Sequence, residues 1–398
     1  MMKPVFMALL FVLASLAGCI GGETEETSSV EAIFAFSPKN DIRVDQIVEF
    51  DASASLPQDT SLTYKWDFDN DGSIDETGRT TTWSFSNPGT FEVVLSVSDG
   101  ITTAYQTREI TIADADAEEP IANAGSYSPF SDCDGDSVSS GNFYLYYICE
   151  MDKSLSSKSM TSTTNVNLDG SNSESGDSND YIKEWNWDLN LEKDSDGDGD
   201  YKNDADMTGE TVEWRDLVPG EYKIALTVIN GQGLTETDET VVYVNYVAKW
   251  NDFSIGGNNS NSAIEIEFDY PVVNDEDSGN TIRRTTGELV YPKEDSDCTN
   301  VPGTNNCRAE LNIYAYNEKD DHVQNTSSIG IDQRSAGDDC DSDTDCVWLQ
   351  FTGSYHYSEP DDDGDYPGWD DGEWKYVIQN DKFNDFDIES FTIRLIYK

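Results

Sequence analysis

The sequence predicts an all-β protein made of consecutive β-sandwiches. Three observations predict it. Short runs in which apolar and polar residues alternate at period two recur between turn signals, first across Val48–Ile112. Part of that pattern returns at an offset of 131 residues. Aromatics make up 11% of the 398 residues, too many for a disordered chain, and no helical period is evident in the C-terminal part.

Taken in order, residues 1–18 read as a lipoprotein signal peptide. Lys3 precedes an apolar run from Val5 to Leu13, which is too short to span a bilayer and suits a signal h-region. Leu16-Ala17-Gly18-Cys19 then resembles the prokaryotic lipobox, which implies that Cys19 takes a diacylglyceryl group. The competing reading is an uncleaved anchor. Two acyl chains, at roughly 0.8 kcal/mol per buried CH₂, make a stable anchor where one is marginal. Residues 19–30, including GGETEETSS, form an acidic tether. The expected location is the extracellular face of the cytoplasmic membrane or the cell envelope, with the membrane engaged through the lipid.

The first domain is expected at 31–114. Its strand-like runs are Val48–Asp51, Leu62–Phe68, Thr82–Phe85, Thr90–Val97 and Ala104–Ile112. Asn70-Asp71-Gly72, Asn87-Pro88-Gly89 and Asp99-Gly100 mark turns between them. The second domain is expected at 119–245. Trp187-Asp188-Leu189 repeats Trp66-Asp67-Phe68, and PGEYKIALTV from Pro219 repeats PGTFEVVLSV from Pro88. From Trp to Pro the first copy spans 22 residues and the second 32, so the second carries ten extra residues there. Trp66 and Trp187 sit mid-strand and are expected to join two sheets in a core.

These residues resemble the PKD domain, an immunoglobulin-like β-sandwich of cell-surface proteins. WDFDNDG (Trp66–Gly72) with PGTFEVVLSVSDG (Pro88–Gly100), and WDLNLEKDSDGDGD (Trp187–Asp200) with PGEYKIALTVING (Pro219–Gly231), carry the resemblance, over about residues 31–245. The second copy departs by an insertion around Tyr127–Leu155. The whole resembles a PKD-domain-containing prokaryotic surface lipoprotein with two repeats, an archaeon being the expected host. That implies binding, adhesion or spacing outside the cell and no catalytic residues.

The third segment, 247–398, shows strand-like runs at Ala263–Phe268, Leu311–Tyr316, Val347–Phe351, Trp374–Ile378 and Ser390–Ile396. Gly, Asn and Asp separate them. The expectation is a third, jelly-roll-like β-sandwich. Its tail from Gly372 resembles the last strands of secreted P-type or pre-peptidase C-terminal sandwiches. Asn258 and Asn325 open N-glycosylation sequons.

Seven cysteines occur, and Cys19 is assigned to lipid. The other six fall in sequence-local pairs. Disulfides are therefore expected for Cys133–Cys149, Cys298–Cys307 and Cys340–Cys346, although six cysteines allow other pairings. No CxxC occurs, which weakens a metal reading for them.

The acidic turns are the candidate chemistry. Asp67, Asp69, Asp71 and Gly72 form one DxDxDG string, and Asp194, Asp196, Asp198 and Gly199 form another. Alternating carboxylates suit Ca²⁺, which takes six to eight oxygens. Neither string is an EF-hand, because Gly78 and Ala205 stand where the closing Glu would be. The second is the stronger candidate: Asp194, Asp196, Asp198 and Asp200, with Asp204 and Asp206 to close the shell. The first offers Asp67, Asp69, Asp71, Asp75 and the Ser73 carbonyl. Asp132, Asp134, Asp136 and Asp361, Asp363, Asp365 are weaker. A solvated acidic loop is the alternative in each case.

Charge excludes one class of function. Lys and Arg number 24 against 79 Asp and Glu, a net charge of −55, which repels phosphate and argues against nucleic-acid partners. No HExxH, GxSxG or DTG signal appears, and His322 and His356 are the sole histidines, so an enzyme is not expected. The expected function is lipid-anchored binding or adhesion, with a surface protein or polysaccharide as ligand, the PKD-like modules as spacers and calcium as structural ion. In that reading Tyr366 and Trp369, among carboxylates in the Ser354–Trp374 segment, contact ligand; a packed loop is the alternative. A structural subunit of a surface layer or envelope complex shares the same features, and a secreted hydrolase or its accessory is the least favoured reading.

Overall fold

The computed structural model describes residues 29–58, 61–195, 199–257, 263–275, 278–294, 307–334, 340–353 and 370–398. Cys19, Asp196, Asp198, Asn258, Cys298, Asp361, Asp363, Asp365, Tyr366 and Trp369 lie outside the described residues. The chain divides into two compact units, Met1–Lys39 with Asp45–Thr111, and Asn40–Val44 with Ile112–Lys398.

The first unit is a two-sheet sandwich. Its strands are β1 (Ala35–Ser37), β2 (Val48–Asp51), β3 (Thr63–Asp67), β4 (Glu76–Thr77), β5 (Thr80–Trp83), β6 (Gly89–Ser98) and β7 (Thr103–Ile112). They form the sheets β1-β2-β5 and β4-β3-β6-β7. Alternation decides which way each strand faces: Val48 and Phe50 are buried while Glu49 and Asp51 are exposed. Val93, Leu95 and Val97 do the same on β6. Trp66 is fully buried between the sheets, 5.1 Å from Phe34 and 5.6 Å from Phe50 by ring centroid. β5 begins two residues earlier than the expected Thr82–Phe85 and stops at Trp83, opposite Val48, where its pairing with β2 ends. Phe85 is buried beyond the strand, and its carbonyl accepts from Asp45 N.

The second unit opens with β8 (Tyr144–Lys153), β9 (Thr164–Asp169), β10 (Ile182–Asp188), β11 (Met207–Thr208), β12 (Thr211–Leu217), β13 (Gly220–Asn230) and β14 (Thr235–Ile255). The pairings β12-β9 and β11-β10-β13-β14 repeat β5-β2 and β4-β3-β6-β7. The repeat extends to single bonds. Trp66 Nε1 donates to Gly78 O at 2.9 Å, and Trp187 Nε1 donates to Gly209 O at 3.0 Å. The insertion before this sandwich holds more than loop: β8 pairs in parallel with β14 from Val242↔Tyr144 to Trp250↔Lys153. The Cys133–Cys149 disulfide, with a Cα separation of 5.5 Å, ties the preceding acidic turn to that strand.

The remaining strands are β15 (Ile264–Val272), β16 (Asn274–Asp275), β17 (Asn280–Thr281), β18 (Arg284–Pro292), β19 (Leu311–Tyr316), β20 (His322–Asn325), β21 (Thr344–Thr352), β22 (Gly372–Asn380) and β23 (Phe386–Ile396). β14, β23, β18 and β21 lie side by side in one sheet, and β15, β22, β19 and β20 form the other. Eight antiparallel strands in that order make a jelly roll. Between its sheets, Phe268 lies 4.6 Å from Trp250 and 4.7 Å from Phe391. Gly287 on β18 lets the sheets close: a Cβ there would lie 3.0 Å from the Tyr376 ring.

β14 is 21 residues long and serves both sandwiches. Residues 235–244 pair with β13, and residues 246–255 pair with β23. It runs straight through 245–247, where the sequence suggests a domain boundary. At the changeover, buried Asn245 accepts Tyr397 N on its side-chain oxygen at 2.7 Å. One hydrophobic cluster extends from Ala122 to Tyr397, taking in Trp187, Trp250 and Trp374.

Candidate functional site

The two acidic turns are built on the same frame. In each, the residue after the buried tryptophan is a buried Asp, 6% exposed at Asp67 and 1% at Asp188. Asp75 N donates to Trp66 O, and Asp206 N donates to Trp187 O. Asp75 accepts Phe68 N, and Asp206 accepts Leu189 N. Asp75 and Asp206 are thus counterparts, and the ten extra residues lie between Asp188 and Asp206.

The first turn satisfies itself. Asp67 accepts Asp71 N at 3.2 Å on one oxygen and Gly72 N at 2.8 Å on the other. Asp69 accepts Asp71 N, and Asp71 accepts Ser73 N. Asn70 and Gly72 adopt positive φ, 55° and 86°, which aims these amides inward. Carboxylate oxygens of Asp67, Asp69 and Asp71 lie within 4.8 Å of one another, but Asp69 and Asp71 are exposed. Asp75 is turned to the Phe68 amide instead of joining them.

The second turn is different. Asp188 accepts Asn190 N at 2.8 Å on Oδ1. Its buried Oδ2 has no hydrogen-bond partner among the described residues. Asp204, 2% exposed, accepts Ser195 N at 2.6 Å. Asp194 accepts Gly199 N at 3.0 Å, and Asp200 accepts Lys202 N at 3.1 Å. Burial pushes the Asp188 carboxyl up to about 6, and the charges of Asp206 and Asp204 push the same way, against the Asn190 and Asp204 amides. Asp188, Asp204 and Asp206 thus act on one another electrostatically within the turn, without forming a three-carboxylate group within 4.8 Å such as Asp67, Asp69 and Asp71 make. Asp188 was absent from the sequence-based set, although its counterpart Asp67 was named in the first string; its burial becomes visible only once the longer turn is folded.

The third string is spoken for. Asp132 accepts Asp134 N and Asp136 N, and Asp134 pairs with Arg394 at 3.1 Å. Cys340–Cys346 is a disulfide with a Cα separation of 5.8 Å. Cys307 is buried and disulfide-bonded, its expected partner Cys298 lying outside the described residues. Asn325 Oδ1 accepts Ser327 Oγ at 2.6 Å within its sequon.

Beside the second turn lies a cleft of about 510 Å³. Leu189, Leu191 and Glu192 of the turn form one wall. Trp214 on β12 and Tyr222 on β13 meet edge to face, 5.3 Å apart, with Glu221, Lys223 and Asn280 alongside. Burial raises the Tyr222 hydroxyl to about 12, so it stays protonated and donates to Val218 O at 2.9 Å. Burial also raises Glu221, which Lys223 and Lys398 partly offset. Trp214 and Tyr222 are half-buried: both pack against the hydrophobic core and also line the cleft.

Residues 32–113 match the PKD domain, so the first unit contains a PKD domain. No curated protein matches the chain. Among solved structures, a carbohydrate-binding module from the β-sandwich superfamily is 18% identical, with 93% of this chain and 96% of that chain covered and a TM-score of 0.20. The three N-terminal domains of the highly immunogenic outer capsid protein of bacteriophage RB49 are 14% identical, covering 68% and 78%, with a TM-score of 0.24. Fibronectin(III)-like modules of Clostridium thermocellum CbhA are 10% identical, covering 54% and 95%, with a TM-score of 0.26. Likenesses at these scores carry no argument about function.

Proposed function

We propose that the protein is a non-catalytic, lipid-anchored extracellular binding or adhesion protein. Its PKD domain and the second sandwich, a further module of PKD type, act as spacers, and the second unit presents a polysaccharide-binding cleft. The observation that carries this is the Trp214–Tyr222 pair beside Glu221, Lys223 and Asn280. Aromatic faces take the apolar faces of sugar rings, and amide, carboxylate and ammonium groups take their hydroxyls. Cys19 carries the lipid in this reading, and Ca²⁺ in the second acidic turn stabilises the fold. Tyr366 and Trp369 form a second ligand contact.

A glycan array probed with the full chain in detergent micelles tests the cleft. Trp214→Ala is expected to abolish the signal without lowering the melting temperature by more than a few degrees. Retained glycan binding in Trp214→Ala removes the cleft from the reading, and Trp369→Ala then reports on the second contact. Cys19→Ser is expected to release the protein from membranes; continued membrane association removes the lipid anchor.

A structural role in an envelope complex is favoured by one feature. Phe130 is fully exposed beside the turn closed by Cys133–Cys149. A stoichiometric protein partner lost on Phe130→Ala would establish that role instead.

A further inference from the structure

We propose that the second acidic turn holds a hard divalent cation, Ca²⁺ in particular, on an inward pair of carboxylates, Asp188 and Asp204. This rests on the calcium part of the reading above and moves the site from Asp194, Asp196, Asp198 and Asp200 to these two residues. The chain supplies its own control. Asp67 and Asp188 occupy equivalent places after a buried tryptophan, yet only Asp67 has both oxygens satisfied by backbone amides. The longer second turn leaves Asp188 with the Asn190 amide on Oδ1 and no hydrogen bond to Oδ2 among the described residues.

The same insertion changes the neighbour. Counting back from the Asp206–Asp75 match, Asp204 stands where the first turn has Ser73, so a second carboxylate, 2% exposed, is brought in. Asp206 is committed to the Leu189 amide and orients the turn. No Lys or Arg pairs with Asp188 among the described residues, and Lys202 is engaged with Glu239 at 2.5 Å. Buried carboxylates are paired with cations or bind metals, because an unmatched charge in the interior is strongly unfavourable. Oxygen donors alone, with further carboxylates nearby in the turn, select a hard ion over a soft one. The first turn lacks this deficit, and no cation is assigned to it.

The test is Ca²⁺ titration of the full chain in detergent micelles, by calorimetry and by displacement of tryptophan-sensitised Tb³⁺ luminescence. The expected result is a site in the range of about 10⁻⁴–10⁻³ M, weakened about tenfold or more by Asp188→Asn and by Asp204→Asn. Asp69→Asn with Asp71→Asn should leave it unchanged. Melting curves give a second signature. Asp188→Asn should melt above the native protein in chelator, since it removes a buried charge, and should gain nothing from Ca²⁺. Ca²⁺ affinity unaltered by Asp188→Asn, or an equal loss of melting temperature with and without Ca²⁺, overturns the proposal. If affinity instead falls only with Asp194→Asn and Asp200→Asn, the calcium reading stands and the inward pair does not. Absence of any Ca²⁺ binding at millimolar concentration overturns both.

Discussion

Trp66 and Trp187 do the same work in two sandwiches. Each is fully buried, and each places its indole N–H on a glycine carbonyl. Replacing either by Ala removes a large buried side chain and orphans that carbonyl, at a cost of about 3–5 kcal/mol. Calorimetry should show Trp66→Ala lowering the transition of the first unit and Trp187→Ala that of the second. Gly287 makes the opposite kind of test. A Cβ there meets the Tyr376 ring at 3.0 Å, and ring and neighbours are packed tightly, so Gly287→Val should lower stability by roughly 1–3 kcal/mol in denaturant titration. The tryptophans were legible because a motif and an alternating pattern surround them. Gly287 was not, since no strand is expected over 284–292 and its role depends on a ring contributed from 89 residues further on. Asp188 was seen only as part of a motif, because burial of its second oxygen depends on how the ten extra residues fold.

At the scale of elements, insertions carry most of what was hidden. The segment around Tyr127–Leu155 looked like a loop with two cysteines, but its apolar half is β8, held parallel to β14. Parallel pairing leaves no hairpin turn to signal it. Replacing Cys133 and Cys149 by Ser opens a link spanning 16 residues, and should lower the stability of the second unit by about 3 kcal/mol. Chemical denaturation under non-reducing conditions measures it, and a change below a few tenths of a kcal/mol would mean that β8 holds without the covalent link. The second acidic turn couples chemistry to shape: Asp206 and Asp188 hold the amides of Leu189 and Asn190, and Leu189 is part of the cleft wall. The jelly-roll runs at Leu311–Tyr316 and Trp374–Ile378 were legible because they alternate or are continuously apolar. β20 was not, being four half-exposed residues at a sheet edge.

At the scale of the whole molecule, a net charge of −55 acts against compactness everywhere, since the carboxylates repel one another. Screening weakens that repulsion. Scanning calorimetry in chelator should therefore show two transitions, one per compact unit, both rising as NaCl is raised from about 0.05 to 1 M. Ca²⁺ at constant ionic strength should raise only the transition that contains the second acidic turn. An equal Ca²⁺ effect on both units would mean general screening rather than a site. The all-β class was evident from composition and period, but the number of independently folding bodies was not. Repeats announce themselves in sequence, whereas a strand that belongs to two sandwiches carries no mark except Asn245, an ordinary-looking polar residue in an apolar run.

That common strand also limits how such a chain can be rearranged in evolution. A joint at residue 246 would sever β14 in the middle of its pairing with β8. The second sandwich and the jelly roll are therefore expected to persist together, as one folding piece.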